Sequence, residues 1–108
     1  MKIGIDIVEV ERLRRKLQEN PKLEERLFTE EEIKYCRNFL EPYSHFAGTL
    51  AAKEAVIKCI GRNPGWKKIQ VFREKGVPFV FLNGRELRGS LSISHTKHTA
   101  VAVFLLLE

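Results

Sequence analysis

The longest run of helical spacing in the chain extends from His45 to Gly61, HFAGTLAAKEAVIKCIG. At about 100° per residue, its large apolar side chains fall on one side and form a stripe typical of a helix packed on a core: Phe46, Leu50, Val56, Ile57 and Ile60. Lys53 lies within this stripe, whereas Glu54 and Lys58 lie one turn apart on a neighbouring face of small residues. The pattern therefore predicts a helix that presents a carboxylate and an ammonium on a surface with room for another molecule.

The residues before this helix predict a strand and two shorter helices. Residues 2–8 alternate, with three isoleucines on one face and Gly4, Asp6 and Val8 on the other. The apolar period then becomes helical through Val10, Leu13 and Leu17, and Asn20-Pro21 should end that helix because the residue before proline disfavours the α region. Thr29-Glu30-Glu31-Glu32 matches a capping box and predicts a second helix that runs to about Phe39.

The residues after the long helix predict two hairpins. Residues 67–82 indicate a hairpin around Glu74-Lys75-Gly76, and Asn83-Gly84 ends it with a strong turn signal. A short helical segment is expected at about Arg85 to Arg88, followed by a last hairpin that turns at residues 95–98. The alternating aromatic residues of the first hairpin are expected in the core: Phe72, Phe79 and Phe81. This order predicts a single α+β domain, residues 1–108, with helices packed on a largely antiparallel sheet.

Composition narrows the class of protein. The 108 residues are 44% hydrophobic, which is enough for one small core. The formal charge of +5 favours an acidic partner: nucleic acid, an anionic membrane, an acidic protein or a phosphorylated small molecule. Cys36 and Cys59 form no metal-binding or CxxC pattern, and Asp6 interrupts the N-terminal apolar run too early for a signal peptide, so a cytoplasmic protein with reduced thiols is expected. The longest uncharged apolar run, Ala100 to Leu107, is too short to span a bilayer.

The candidate chemistry rests on two carboxylates that occupy different rigid elements. Asp6 and Glu54, with Lys53 and Lys58 beside one of them and His95 at a polar turn, fit a Mg²⁺ site completed by phosphate oxygens and water. Structural alternatives exist for each group. Asp6-x-x-Glu9 matches a capping box, Glu54 and Lys58 match a surface ion pair, and a histidine in a hairpin turn is commonly solvated.

Four segments carry a family resemblance: GIDIVEVERL at 4–13, HFAGTLAAKEAVIK at 45–58, KGVP at 75–78 and SISHTKHTAVAV at 92–103. Together they resemble holo-[acyl-carrier-protein] synthase, the small bacterial 4′-phosphopantetheinyl transferase. The resemblance implies Mg²⁺-dependent transfer of phosphopantetheine from coenzyme A to a serine of apo acyl carrier protein, with release of adenosine 3′,5′-bisphosphate, in fatty acid biosynthesis. It also implies a homotrimer with active sites between subunits.

The same resemblance assigns residues by matching motif position. Asp6 and Glu54 would be the Mg²⁺ ligands, and Lys58 would complete the catalytic set beside the pyrophosphate of coenzyme A. His95 and Thr96 would hold its nucleotide end, and Gly76 and Pro78 in the KGVP turn would contact the adenine. Glu54, directly or through a metal-bound water, is the hypothetical base for the serine proton. Lys53 would be either a cation that reaches the ligand or a stem packed at a subunit contact.

Basic residues crowd the outer surface of the first predicted helix: Arg12, Arg14, Arg15 and Lys16. They would steer an acidic carrier protein. The chain also departs from the family, since Thr49-Leu50 replaces the usual Arg-Phe pair, Val77 stands within the usual G-K-P turn, and the helix between the last hairpins is short. A rival prediction is a non-enzymatic basic module that binds nucleic acid or an acidic protein, although no RNA-binding or helix-turn-helix motif is present.

Overall fold

The computed structural model describes residues 1–107. The helices are α1 (Val10–Glu19), α2 (Pro21–Leu27), α3 (Glu30–Arg37) and α4 (Tyr43–Ile60). The strands are β1 (Lys2–Glu9), β2 (Ile69–Glu74), β3 (Val77–Leu82), β4 (Arg85–Glu86), β5 (Gly89–His95) and β6 (Thr99–Leu106), with a 3₁₀ turn at Trp66–Lys68. The predicted α+β class is confirmed. No helix within residues 1–107 is long and apolar enough to span a bilayer.

The strands form two separate three-stranded antiparallel sheets. One has the order β1-β6-β5 and the other β2-β3-β4. Both predicted hairpins are confirmed, but the predicted helical segment at Arg85 to Arg88 is wrong. Asn83 and Gly84 adopt φ of 52° and 81°, a tight turn that returns the chain so that Leu82 pairs with Arg85.

The first helices differ from the prediction in two places. The Asp6-x-x-Glu9 capping box is wrong, because β1 stays paired with β6 as far as Glu9 and α1 begins at Val10 without a side-chain cap. Pro21 ends α1 as expected, but it also begins α2, a helix that was not predicted. Proline is tolerated there because a backbone N–H in the first turn of a helix would have no hydrogen-bond acceptor within the helix. The Thr29 to Glu32 capping box is confirmed at the start of α3.

Helix α4 packs across the inner face of the sheet that contains β1. A glycine makes this approach possible, since a Cβ atom on Gly4 would lie 2.0 Å from the carbonyl oxygen of Ala55. The backbone of β1 therefore lies directly against α4, which ends at Ile60 and is capped by Gly61 with φ of 80°. This contact sets the distance between side chains of β1 and those of the last turns of α4.

Lys53 is fully buried, so the predicted contact with coenzyme A is not supported. Its ammonium lies 2.6 Å from Oε1 of Glu32 and donates to the carbonyl oxygens of Leu27 at 2.7 Å and Trp66 at 2.9 Å. Glu32 in turn accepts hydrogen bonds from the amides of Thr29 and Val71. The pair therefore joins α3, α4 and β2 inside the protein, and no donor of Lys53 remains for a ligand.

The prediction that the hairpin phenylalanines lie in the core is also wrong. Phe72, Phe79 and Phe81 contact one another, with ring centroids 5.3–6.0 Å apart, and they are only half-buried. The opposite face of the same sheet supplies the core residues: Ile69, Val71 and Val80. Alternation places an aromatic face and a core face on the two sides of one hairpin, and composition alone does not tell them apart.

Candidate active site

Three of the residues singled out in the sequence meet between β1 and α4. Asp6 projects from β1 on the same face as Gly4, and its carboxyl group forms a hydrogen bond with that of Glu54. The Lys58 ammonium donates to Oδ1 of Asp6 at 2.9 Å and to the carbonyl oxygen of Ile5 at 2.8 Å. Lys58 thus pairs with a carboxylate distant in sequence, whereas the simple surface pairing with Glu54 is not observed.

Both carboxyl groups have shifted pKa values. Burial raises the pKa of Glu54 to about 7, and the hydrogen bond and negative charge of Asp6 act in the same direction. Burial alone would also raise the pKa of Asp6, but the hydrogen bonds with Glu54 and Lys58 bring it below its usual value. Two carboxyl groups thus share a partly desolvated site in which each disfavours ionisation of the other.

This donor set fits a magnesium ion. Within residues 1–107 no group of three or more histidine, cysteine or acidic side chains is arranged to hold a metal. The protein ligands at this place are therefore the two carboxyl groups of Asp6 and Glu54. Mg²⁺ is commonly held by one or two carboxylates, with phosphate oxygens and water as the other ligands. A divalent cation at this position would also relieve the repulsion between the two carboxylates.

A second group of predicted residues lines a cleft of about 160 Å³ near the first turns of α4. Gly76 in the β2–β3 turn, Pro78 in β3 and His95 at the end of β5 are among its lining residues. Thr96 does not line the cleft, because its hydroxyl group accepts hydrogen bonds from the amides of His98 and Thr99 and so stabilises the β5–β6 turn. The predicted nucleotide residues are thus brought together, except for the side chain of Thr96.

The sequence prediction missed an arginine and a histidine that line this cleft, Arg73 and His45. The His45 ring stacks on Phe39 at 3.6 Å and lies 5.0 Å from the ring of His95. Burial lowers the pKa of His45, and the positive charges of His95 and Arg73 add to this effect. A signal for Arg73 was available, because strand alternation puts it on the same face as the core residues Ile69 and Val71.

The basic residues predicted to bind the carrier protein from α1 have different surroundings in the structure. Arg14 is held within the protein by Glu11 at 3.0 Å and Glu41 at 2.6 Å, so its predicted role in carrier binding is not supported. Arg12, Arg15 and Lys16 remain exposed. Arg12 and Lys16 also line a groove of about 730 Å³ that reaches Glu54. The groove is otherwise mainly apolar, with Leu13, Leu23, Leu27, Leu50 and Trp66 in its lining.

Comparison with known proteins identifies the family. The model of the 4′-phosphopantetheinyl transferase superfamily matches residues 2–105. The chain belongs to this superfamily. It is 43% identical to holo-[acyl-carrier-protein] synthase of Alkaliphilus metalliredigens, over 93% of each chain, and 41% identical to that of Chlorobaculum parvum, over 97% of each chain. The prediction of a phosphopantetheinyl transferase of the holo-[acyl-carrier-protein] synthase type is therefore confirmed.

Solved structures of this superfamily agree with the fold. The chain is similar to a holo-[acyl-carrier-protein] synthase of Bacillus anthracis in complex with coenzyme A (3′,5′-ADP), with a TM-score of 0.85 and 34% identity, over 97% of this chain and 94% of that one. It is also similar to the synthase of Helicobacter pylori in complex with coenzyme A, with a TM-score of 0.84 and 28% identity, over 97% of this chain and 99% of that one. The antiparallel sheets and α4 thus form an architecture shared with phosphopantetheinyl transferases.

Proposed function

We propose that this transferase moves the 4′-phosphopantetheine group of coenzyme A to a serine of apo acyl carrier protein, depends on Mg²⁺, and serves fatty acid biosynthesis in the cytoplasm. The observation that carries the proposal is the meeting of Asp6, Glu54 and Lys58 between β1 and α4. It supplies two hard oxygen ligands and an ammonium at one place, which is what transfer at a diphosphate requires. The named relatives and the coenzyme A complexes of similar structures support the choice of donor and acceptor.

The chemistry follows from the charges at this place. Mg²⁺ bound by Asp6 and Glu54 would offset the negative charge that develops on the diphosphate oxygens. Lys58 is held by Asp6 and by the Ile5 carbonyl oxygen, so its ammonium can contact the same diphosphate. The serine oxygen forms a bond to the phosphorus that carries pantetheine, the bond to the adenosine phosphate breaks, and adenosine 3′,5′-bisphosphate leaves. Glu54 would accept the serine proton.

The acceptor would approach along α1. Arg12 and Lys16 lie on the rim of the groove that reaches Glu54, and Arg15 adds a third exposed cation to the helix. An acidic carrier protein would therefore be attracted to the side of the molecule where the serine has to react. The rival prediction, a non-enzymatic basic module, has no observation in its favour once the chain is known to be a transferase.

A homotrimer is supported by the outer face of the first sheet. Ile3, Ile5 and Ile7 of β1 are 69%, 57% and 65% exposed. Their partners across the β1–β6 ladder are also apolar: Leu105, Val103 and Val101. A continuous apolar sheet face of this kind is typical of a protein–protein interface. Covering it with neighbouring subunits would bury it, and it would bring β1, which carries Asp6, close to a subunit boundary.

Intact mass spectrometry of an apo acyl carrier protein tests the proposal directly. With coenzyme A and Mg²⁺, the carrier should gain the mass of one phosphopantetheine group, and EDTA should prevent the gain. Glu54→Gln should abolish the gain without unfolding the protein, whereas the matched control Glu86→Gln, on the exposed edge strand β4, should leave it unchanged. Carriers from several bacteria that never gain mass would refute the function, and turnover by Glu54→Gln would refute the metal assignment.

A further inference from the structure

The carboxylate of Asp6, which the proposed function assigns to Mg²⁺, already has two partners within the protein. The ammonium of Lys58 donates to its Oδ1 atom at 2.9 Å, and the carboxyl group of Glu54 forms a hydrogen bond with it. Lys58 also donates to the carbonyl oxygen of Ile5 at 2.8 Å, so two contacts hold its ammonium against β1. A cation of the protein itself therefore lies at the carboxylate that a metal ion would need.

An ammonium and a magnesium ion compete for such a carboxylate. The Asp6 side chain is only 16% exposed, so water screens the charges beside it incompletely. Two cations beside one carboxylate repel each other, and Mg²⁺ gives up its bound water reluctantly. In the arrangement observed, binding of Mg²⁺ to Asp6 requires Lys58 either to leave its contact or to stay against this repulsion. Both cost free energy and weaken the binding of the metal.

Lys58 is the partner that can move. Its side chain is 56% exposed and extends from the last turn of α4, whereas Asp6 lies on a strand that is paired with β6 along its whole length. Among residues 1–107, no other carboxylate lies within ion-pair distance of Lys58. An ion pair with one mostly exposed member contributes little to stability, so a stronger anion can take the ammonium from Asp6.

The proposed donor supplies such an anion. For the transfer, the diphosphate of coenzyme A has to lie beside Asp6, Glu54 and Lys58, and it brings negative charge to the ammonium. Once Lys58 contacts the diphosphate, Asp6 becomes available to a metal ion, and the phosphate oxygens can serve as further ligands. The move of one side chain would therefore link the binding of the donor to the binding of the metal.

We propose that Lys58 weakens the binding of Mg²⁺ to Asp6 until coenzyme A is bound, so that the metal ion and the donor bind cooperatively. This inference rests on the proposed function, because it takes coenzyme A as the donor and Asp6 as a metal ligand. It gives Lys58 a second role besides its contact with the diphosphate. The coupling is reciprocal, so Mg²⁺ strengthens the binding of coenzyme A by the same factor.

Calorimetric titration of Mg²⁺ into the protein without coenzyme A provides the test. Lys58→Met should bind Mg²⁺ at least about fivefold more tightly than the wild type, which is the lower end of the usual coupling between two sites. The control Arg62→Met removes the same charge from an exposed position just beyond α4 and should stay within about twofold of the wild type. Lys58→Arg keeps a cation at this place and should also stay near the wild type.

An unchanged or weaker Mg²⁺ affinity of Lys58→Met would overturn the inference. Lys58→Arg that binds Mg²⁺ as tightly as Lys58→Met would overturn it as well, because the charge would then have no effect on the metal. Because Lys58 is mostly exposed, these variants should keep the circular dichroism spectrum of the wild type. A comparison that needs no variant uses the wild type with and without coenzyme A, and equal Mg²⁺ affinities would refute the coupling.

Phosphate oxygens that bind Mg²⁺ directly would raise its affinity in every variant. The gain in Mg²⁺ affinity on addition of coenzyme A should therefore be larger for the wild type than for Lys58→Met, after subtraction of a titration of coenzyme A alone. If the carrier protein never gains mass, or the wild type binds no Mg²⁺ even with coenzyme A, the proposed function fails. If the carrier gains mass in a Mg²⁺-dependent way and the two gains in affinity are equal, only the inference on Lys58 fails.

Discussion

Replacing Lys53 by methionine should destabilise the protein severely without acting on coenzyme A. The ammonium of Lys53 is fully buried and makes three polar contacts of 2.6–2.9 Å, with Glu32, Leu27 and Trp66. Methionine keeps the length of the stem but removes all three contacts. It leaves the buried carboxylate of Glu32 without a cation, although two backbone amides still donate to it.

Removing one partner of a buried ion pair costs about 3–5 kcal/mol, because an uncompensated charge remains in the interior. A domain of this size has a total free energy of unfolding of about 5–15 kcal/mol. At about 4–8 °C per kcal/mol, the lower limit corresponds to a fall in Tm of at least about 12 °C. The variant should therefore be marginally folded at physiological temperature.

Urea denaturation can follow this loss through Trp66, the single tryptophan, whose carbonyl oxygen accepts a hydrogen bond from Lys53. Lys34→Met on the exposed side of α3 is the matched control and should stay within about 0.5 kcal/mol of the wild type. Glu32→Gln combined with Lys53→Met should cost less than the sum of the single changes by about 0.5–3 kcal/mol. A Lys53→Met variant of wild-type stability with a raised KM for coenzyme A would refute the reasoning and restore the ligand role.

Further predictions concern packing, thiol reactivity and assembly. Gly4→Ala should destabilise the protein by about 1–3 kcal/mol and reduce phosphopantetheine transfer, because the new Cβ would lie 2.0 Å from the Ala55 carbonyl oxygen and push β1 away from α4. An unchanged melting temperature and unchanged activity would contradict this. Burial raises the pKa of the Cys36 thiol to about 11. Iodoacetamide at pH 8 should therefore alkylate Cys36 far more slowly in the native protein than in the urea-unfolded protein, as measured by mass spectrometry. Equal alkylation rates would contradict the burial of this thiol. Ile5→Lys, on the exposed apolar face of the sheet that contains β1, should reduce the assembled mass measured by sedimentation equilibrium, whereas Lys97→Ala, at an exposed turn, should not. A trimer that persists with Ile5→Lys would exclude this sheet face as the subunit interface.

Local signals in the sequence predicted most of the fold. The capping box at Thr29 and the apolar period of the long helix depend on residues within a few positions of one another, and both hairpins were found in this way. The prediction failed at Arg85 to Arg88, where a tight turn pairs Arg85 with Leu82, and at Asp6-x-x-Glu9, where pairing with a distant strand decides the conformation. Residue Glu9 stays in β1 because it pairs with Thr99, a partner that no local pattern identifies.

The candidate site also combines features that local sequence predicts with features that depend on distant residues. Asp6 and Glu54 could be chosen from their residue types and from the family resemblance, and Gly4 is the feature that brings them together, because it lets β1 lie against α4. Arg14 and Arg15 are neighbours in sequence, yet among residues 1–107 only Arg14 of the two meets acidic partners, and one of these, Glu41, lies far along the chain. Helical position alone does not reveal which cation of α1 is already paired.

Lys53 illustrates why residue type and spacing leave the role of a charged group undecided. A lysine within an apolar stripe is compatible with a stem that extends to a surface and with an ammonium that remains inside. The second arrangement requires a buried anion at the same depth, and Glu32 provides it from the first turn of α3, where it also completes the capping box of that helix. Because this single carboxylate accepts hydrogen bonds from α3, α4 and β2, removing it should disturb all three elements, whereas a carboxylate that served only as the cap would affect α3 alone.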